Sequence, residues 1–310
     1  MNNSYFLVYV LLLASLSCNQ STRDTQVADL QEFQSPKVAS SYLSVDTLIY
    51  SAEAASQVRI FSKEENQGEF VTILPSLGRG VEDYTEAYNS TLTTDLVETG
   101  YNVVLIQPRG IGKSTGDLTP SEVSMEDLAN DLKSTLDSLR IEKLHVIGHA
   151  FGNRLARTFA TLYTSRVDKL ILLACGGNAE MNPEAKKCLR ASFDLKLSDE
   201  ERLKMIRCAF FAQGNDPSVW LGGWYPKLAL AEINAATSID GNFYKKAGGK
   251  QFLIVQATED FIAPPQQAGL ALKDDLGDQA VYVEVQNAGH ALTSEQPEEV
   301  ARHVIDYLRQ

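Results

Sequence analysis

VIGHAFGNRLAR, Val146 to Arg157, is the stretch on which the fold turns. A β-branched apolar run ends in Gly148-His149-Ala150-Phe151-Gly152, and a helical segment opens directly after it. Paired glycines at such a point permit a strained strand-to-helix turn and close packing around it. Working outward, short strand-like runs recur on both sides: VRIFS at Val58, FVTIL at Phe70, NVVLI at Asn102, KLHVI at Lys143, KLILL at Lys169, QFLIV at Gln251 and AVYVEV at Ala280. VVLI and LILL are apolar without alternation, as strands covered on both faces are. Between two of them, Met125 to Arg140 sets Leu128, Leu132, Leu136 and Leu139 on one helical stripe. This rhythm predicts an α/β fold, a mostly parallel sheet of about eight strands with helices on both faces.

One interval breaks the rhythm. Residues 178–248 carry no strand-like run, and about seventy residues is too long for a simple strand-to-helix connection. They read as a helical cap inserted between a first core segment, 45–177, and a second, 249–310. Cys188 and Cys208 fall on adjacent helical stretches of this cap, either paired or free and buried. The aromatics Phe210, Phe211, Trp220, Trp224 and Tyr225 also gather there, either as the cap's own core or, for Trp220 and Trp224, against a partly apolar ligand.

The chain has 310 residues, 40 acidic against 28 basic, for a net charge of −12. That balance disfavours nucleic acid, which needs a basic surface. The 4 cysteines form no close C-x-x-C pair, so no metal site is expected, and no motif calls for a cofactor. Residues 1–17 contain an apolar run, Tyr5 to Leu16, too short to span a membrane and typical of a signal peptide. SLSC, ending at Cys18, resembles a bacterial lipobox with Ser15 in place of the usual Leu or Val. The mature protein is therefore expected to be exported, either soluble or lipid-anchored through Cys18, touching membrane only in that way. Residues 18–44 are polar and read as a flexible lead-in.

Two further stretches follow strands: Thr258-Glu259-Asp260 after QFLIV, and Asn287-Ala288-Gly289-His290 after AVYVEV. The order elbow, Asp, His resembles the α/β-hydrolase superfamily, from about Val45 to the C-terminus. Pro75-Ser76-Leu77-Gly78 stands at that family's oxyanion loop, and Gln107-Pro108-Arg109-Gly110-Ile111-Gly112-Lys113-Ser114 is similar to its D-x-R-G-x-G-x-S. The resemblance implies that the amides of Leu77 and Phe151 frame an anion-stabilising pocket and that Asp260 orients His290 as a general base. It also exposes a departure. The nucleophile position holds Ala150, whose methyl group cannot attack a carbonyl.

Three readings stay open: an enzyme using His290 and Asp260 on a small molecule without a serine, a ligand-binding or sensor protein, and a Ser→Ala variant of an esterase-like hydrolase. Serine at this codon of the native gene would decide the third. Ser76 and His149 are further pocket candidates, and Glu259 competes with Asp260 as the acid. His145 within a strand reads as packing and His303 as surface. Ser114 reads as structural, and Cys175 as a small buried residue unless it or Ser76 supplies a substitute nucleophile.

Overall fold

In a computed structural model that describes residues 43–50, 54–63, 68–176 and 180–310, eight strands form one sheet. They are β1 (Leu43–Tyr50), β2 (Ala55–Ser62), β3 (Phe70–Leu74), β4 (Asn102–Ile106), β5 (Leu144–His149), β6 (Val167–Leu173), β7 (Phe252–Ala257) and β8 (Ala280–Val285), in the order β1-β2-β4-β3-β5-β6-β7-β8. β1 and β2 pair antiparallel, as do β2 and β4, and the remaining pairings are parallel. The signal peptide, Cys18 and most of the lead-in lie outside the described residues. β1 takes in Leu43 and Ser44, which the sequence placed in the lead-in. Its residues are mostly exposed, so no apolar run marked it.

The helices are α1 (Leu92–Glu98), α2 (Met125–Ser138), α3 (Phe151–Leu162), α4 (Pro183–Ser192), α5 (Asp199–Phe210), α6 (Pro226–Ser238), α7 (Gly241–Lys245), α8 (Gly269–Leu276), α9 (Leu292–Glu295) and α10 (Pro297–Leu308). Two apolar layers explain the unalternating strands. Ile171 and Leu173 of β6 join a cluster with Leu92 and Leu96 of α1 and Val300 and Val304 of α10. Leu170 and Leu172 join the opposite cluster with Leu132 and Leu136 of α2 and Phe159 of α3. A capping box starts α2, Ser124 Oγ accepting from the Asp127 amide while Asp127 accepts from the Ser124 amide.

β4 lies on one side of β3 and β5 on the other, so the chain reverses its direction of travel across the sheet at the β3–β5 boundary. In open parallel sheets the crevice outside the strand ends at such a reversal is where ligands sit. Pro75 to Gly78 leave β3 there, and Ala150 leaves β5 beside them.

Between β6 and β7 the described chain is helical, α4 to α7 with short 3₁₀ turns. Cys188 of α4 and Cys208 of α5 form a disulfide, Cα–Cα 6.0 Å, closing a separation of 20 residues. Both pack in an apolar cluster with Ile206, Phe210, Trp220 and Trp224. Reduction is expected to destabilise the protein by about 3 kcal/mol on the chain-entropy estimate. Thermal unfolding with and without reductant checks this, and coincident curves would argue that the bridge does not hold the cap.

Candidate active site

β5 ends at His149, α3 begins at Phe151, and Ala150 between them has φ 52° and ψ −109°. Holding a non-glycine residue in so sparsely populated a region costs roughly 1–3 kcal/mol. The flanking glycines make the turn possible. A Cβ on Gly152 would stand 2.0 Å from the Leu74 carbonyl oxygen, and one on Gly148 would stand 2.4 Å from that of Gly152. The first turn of α3 is thus pressed against the end of β3. The Ala150 amide donates to the Leu173 carbonyl at 2.9 Å, fixing the elbow to β6.

The amides on either side of Leu77 are already used. Ser76 N–H donates to Tyr84 Oη at 3.2 Å and Gly78 N–H to Glu232 Oε2 at 2.6 Å. The Leu77 amide and that of Phe151, first in α3, have no protein acceptor among the described residues. A helix N-terminus with free amides favours negative charge.

His290 Nδ1 lies 3.0 and 2.9 Å from the two oxygens of Asp260, and both side chains are buried. A carboxylate facing Nδ1 holds the proton there and leaves the Nε2 lone pair to act as a base. Asp260 is itself fixed: Oδ1 accepts from the amides of Ile262 (3.0 Å) and Ala263 (2.8 Å), and Oδ2 from Gln256 Nε2 (3.2 Å). Glu259, the competing acid, is exposed, and among the described residues it makes no ion pair with a histidine.

His149 is fully buried and structural in a specific sense. The His290 carbonyl, which can only accept, lies 2.8 Å from Nε2, so Nε2 carries the proton and Nδ1 accepts from Tyr84 O–H at 3.1 Å. A hydrogen-bonded chain therefore runs from Ser76 through Tyr84 and His149 to the backbone of His290, joining the oxyanion loop to the histidine loop. Burial, with the nearby His290 adding to it, lowers the His149 pKa from 6.5 to about 3. An unfolded chain binds that proton near pH 6.5 and the folded one does not. Stability contributed by His149 is then fully present above about 6.5 and declines as pH falls toward about 3. Unfolding free energies measured from pH 7 to 4 should fall by a few kcal/mol in the wild type and less steeply in His149→Gln. Equal slopes would show that His149 does not contribute to the pH dependence of stability.

Two family models match the chain, one described as alpha/beta hydrolase fold over residues 73–195 and one as TAP-like protein over residues 233–310. A 2-hydroxy-6-oxo-6-phenylhexa-2,4-dienoate hydrolase of Comamonas testosteroni is 27% identical over 274 residues, 84% of this chain and 94% of that protein. Among solved structures, the hydrolase of the same name from Rhodococcus sp. strain RHA1 superposes with a TM-score of 0.66 at 17% identity, over 87% of this chain and 100% of that one. An esterase from Exiguobacterium antarcticum gives 0.67 at 17% identity, over 86% and 100%. The chain belongs to the α/β-hydrolase superfamily.

On this α/β-hydrolase scaffold the structure gathers His290, Asp260, Ala150, Phe151, Leu77, Ser76 and His149 at the strand ends beside the reversal point. Trp220 and Trp224, which the sequence left open between cap core and ligand contact, pack in the cap's apolar cluster, and the Trp220 ring meets that of His149 at 6.3 Å. They are buried, and the Arg79 guanidinium stacks on their rings at 4.3 and 4.6 Å. The Trp220 indole N–H donates to Ser294 Oγ (2.9 Å) and that of Trp224 to the Trp220 carbonyl (2.6 Å). These contacts tie the two rings to Arg79 and to α9 as well as to the cap. Cys175 is buried and unpaired, and burial pushes its thiol pKa up, away from the reactive thiolate. Ser114 donates to the Gln107 carbonyl and accepts from the Gln57 amide, a structural role.

Three acids and an arginine that join the cap to the site carried no sequence signal. Glu232 of α6 is buried against the oxyanion loop, and burial drives its carboxyl well above the usual range, opposed by the Gly78 amide. Glu295 of α9 accepts from the Gly289 amide at 2.8 Å and the Ala212 amide at 2.7 Å, tying the histidine loop to the end of α5. Arg79 and Asp83 form a two-point ion pair at 2.6 and 2.7 Å with both side chains 1% exposed, and Arg79 Nη1 donates to the Gly222 carbonyl of the cap.

Among the described residues one trio has metal-ligand chemistry, Glu69, His145 and Asp168, near the N-terminal ends of β3, β5 and β6 and so opposite Ala150. These groups occupy one another. Lys143 holds Asp168, the Lys169 amide approaches His145 Nδ1, and His145 Nε2 faces Glu69. His303 lies half-buried on α10 beside Glu299. No described helix is long and apolar enough to cross a membrane.

Proposed function

We propose that the protein acts on a small, partly apolar carbonyl compound, with His290 as general base, Asp260 as its orienting partner and the amides of Leu77 and Phe151 as oxyanion donors. The observation carrying this reading is the buried, doubly hydrogen-bonded His290–Asp260 pair beside an elbow whose strain is kept although no nucleophile stands on it. His290 Nε2 takes a proton from water, and the resulting hydroxide attacks the carbonyl carbon. The carbonyl electron pair moves onto oxygen and is stabilised by the two amides. Its return expels the leaving group, which takes the proton back from the imidazolium. General-base assistance is worth about 10²–10⁴-fold and each oxyanion donor roughly 3 kcal/mol.

The relative named as a 2-hydroxy-6-oxo-6-phenylhexa-2,4-dienoate hydrolase supports a small oxo compound as the substrate class. Export through residues 1–17 belongs to the same reading, supported by the Cys188–Cys208 disulfide, a bond that persists in oxidising compartments. Ala150 favours a second reading, a binding protein that keeps the pocket. Turnover separates the two. Purified protein offered activated esters and 2-hydroxy-6-oxo-dienoates is expected to turn over at least one above the buffer rate, with no mass adduct on the chain. Saturable binding with no turnover of any compound would select the second reading.

A further inference from the structure

A cavity of about 220 Å³ lies away from Ala150, between α3, α7 and α8. Arg157 of α3 lines it and is only 4% exposed. Its Nη2 donates to Asn153 Oδ1 at 3.0 Å and its Nε to the Asn153 carbonyl at 3.3 Å, both neutral acceptors, and its guanidinium sits 5.0 Å from the centre of the Tyr244 ring. Among the described residues no carboxylate lies within ion-pair distance of it. Asp275, at the same cavity, is held by Lys245. Buried charges are ordinarily paired, because an unpaired one loses its hydration without return. In a chain of net charge −12 a buried cation with no acid beside it is the more unusual.

On the rest of the wall the charges of Lys245 and Asp275 offset each other, so the charge of Arg157 is left over. Arg154, one turn back on α3, lies beside Gly176 at the cavity, and α8 begins there with no side chain capping its first amides. Gln267 and Ala271 are exposed, so the cavity opens to solvent. Its volume falls below the roughly 300–1,000 Å³ of drug-sized sites and suits a compact ligand.

We propose that this cavity binds a small oxyanion, a carboxylate or a phosphate, paired with Arg157. A planar guanidinium already braced by Asn153 and Tyr244 presents its remaining N–H donors in the geometry that oxyanions accept. The site is independent of the chemistry proposed at His290.

Isothermal titration with sodium phosphate and with sodium acetate, each against sodium chloride at equal ionic strength, tests it. At least one anion should bind saturably, and which one does identifies the chemical source. Arg157→Met should weaken that binding at least tenfold. Ala271→Glu changes an exposed wall residue and sets an internal carboxylate beside the guanidinium. It should abolish binding while leaving circular dichroism unchanged, which covers the case that Arg157→Met folds poorly. No saturable response to either anion beyond chloride would overturn the proposal. So would binding that persists unchanged in Ala271→Glu.

Discussion

Ala150→Ser is expected to convert a protein inert to serine-directed fluorophosphonates into one that labels and that hydrolyses activated esters. The elbow already holds position 150 at φ 52°, and His290 is already oriented by Asp260, so the change adds a hydroxyl to a prepared backbone. In a serine protease, loss of the serine costs about 10⁶ in kcat, which sets the upper end of the possible gain. A rise on the order of 10³-fold over the unmodified protein is the expectation, below that ceiling because the added hydroxyl must be placed for deacylation as well as for attack. Ala150→Ser/His290→Ala should lose both labelling and hydrolysis. Labelling of the unmodified protein at Ser76, Ser114 or Cys175 would contradict the absence of a nucleophile. Failure of Ala150→Ser to label would contradict the geometry.

The second large effect is on stability. Asp83→Asn keeps the shape of the side chain but leaves the Arg79 charge buried and unpaired at the junction of oxyanion loop and cap. Breaking one side of such a pair costs about 3–5 kcal/mol. For a chain of this size that lowers Tm by roughly 5–9 °C. Arg79→Met/Asp83→Leu should recover much of the loss, since replacing both charges removes the desolvation penalty along with the attraction. A drop in Asp83→Asn below about 1 kcal/mol, read by denaturant unfolding, would show that the stacked Trp220 and Trp224 rings satisfy Arg79 without its carboxylate.

The legible part of the molecule was the part whose chemistry is local in sequence. The central strands β4, β5, β6 and β7 stood out because burial on both faces makes them nearly continuous apolar runs, and β2, β3 and β8 because they are rich in β-branched and aromatic residues, whereas β1, an exposed edge, carries no such mark. The elbow, Asp260 and His290 could be placed because each follows a strand in the order that the family resemblance supplies, and the amides proposed as oxyanion donors, those of Leu77 and Phe151, because a backbone role does not depend on the side chain. The cap's contribution was not readable. Glu232 looks like any polar residue of a surface helix, yet meets the Gly78 amide 154 residues earlier. Arg79 and Asp83, four residues apart, look like an ordinary solvent-exposed pair until the cap tryptophans close over them. Trp220 and Trp224 were open between core and ligand contact because composition cannot say which face of a ring is covered.

His290 is proposed to do its chemistry without a covalent partner. The most direct measurement is kcat/KM for a turned-over carbonyl compound in the wild type and in His290→Ala, with unfolding curves confirming that both are folded. A fall of about 10²–10⁴-fold with no adduct on either chain is the predicted result. An unchanged rate in folded His290→Ala would contradict it.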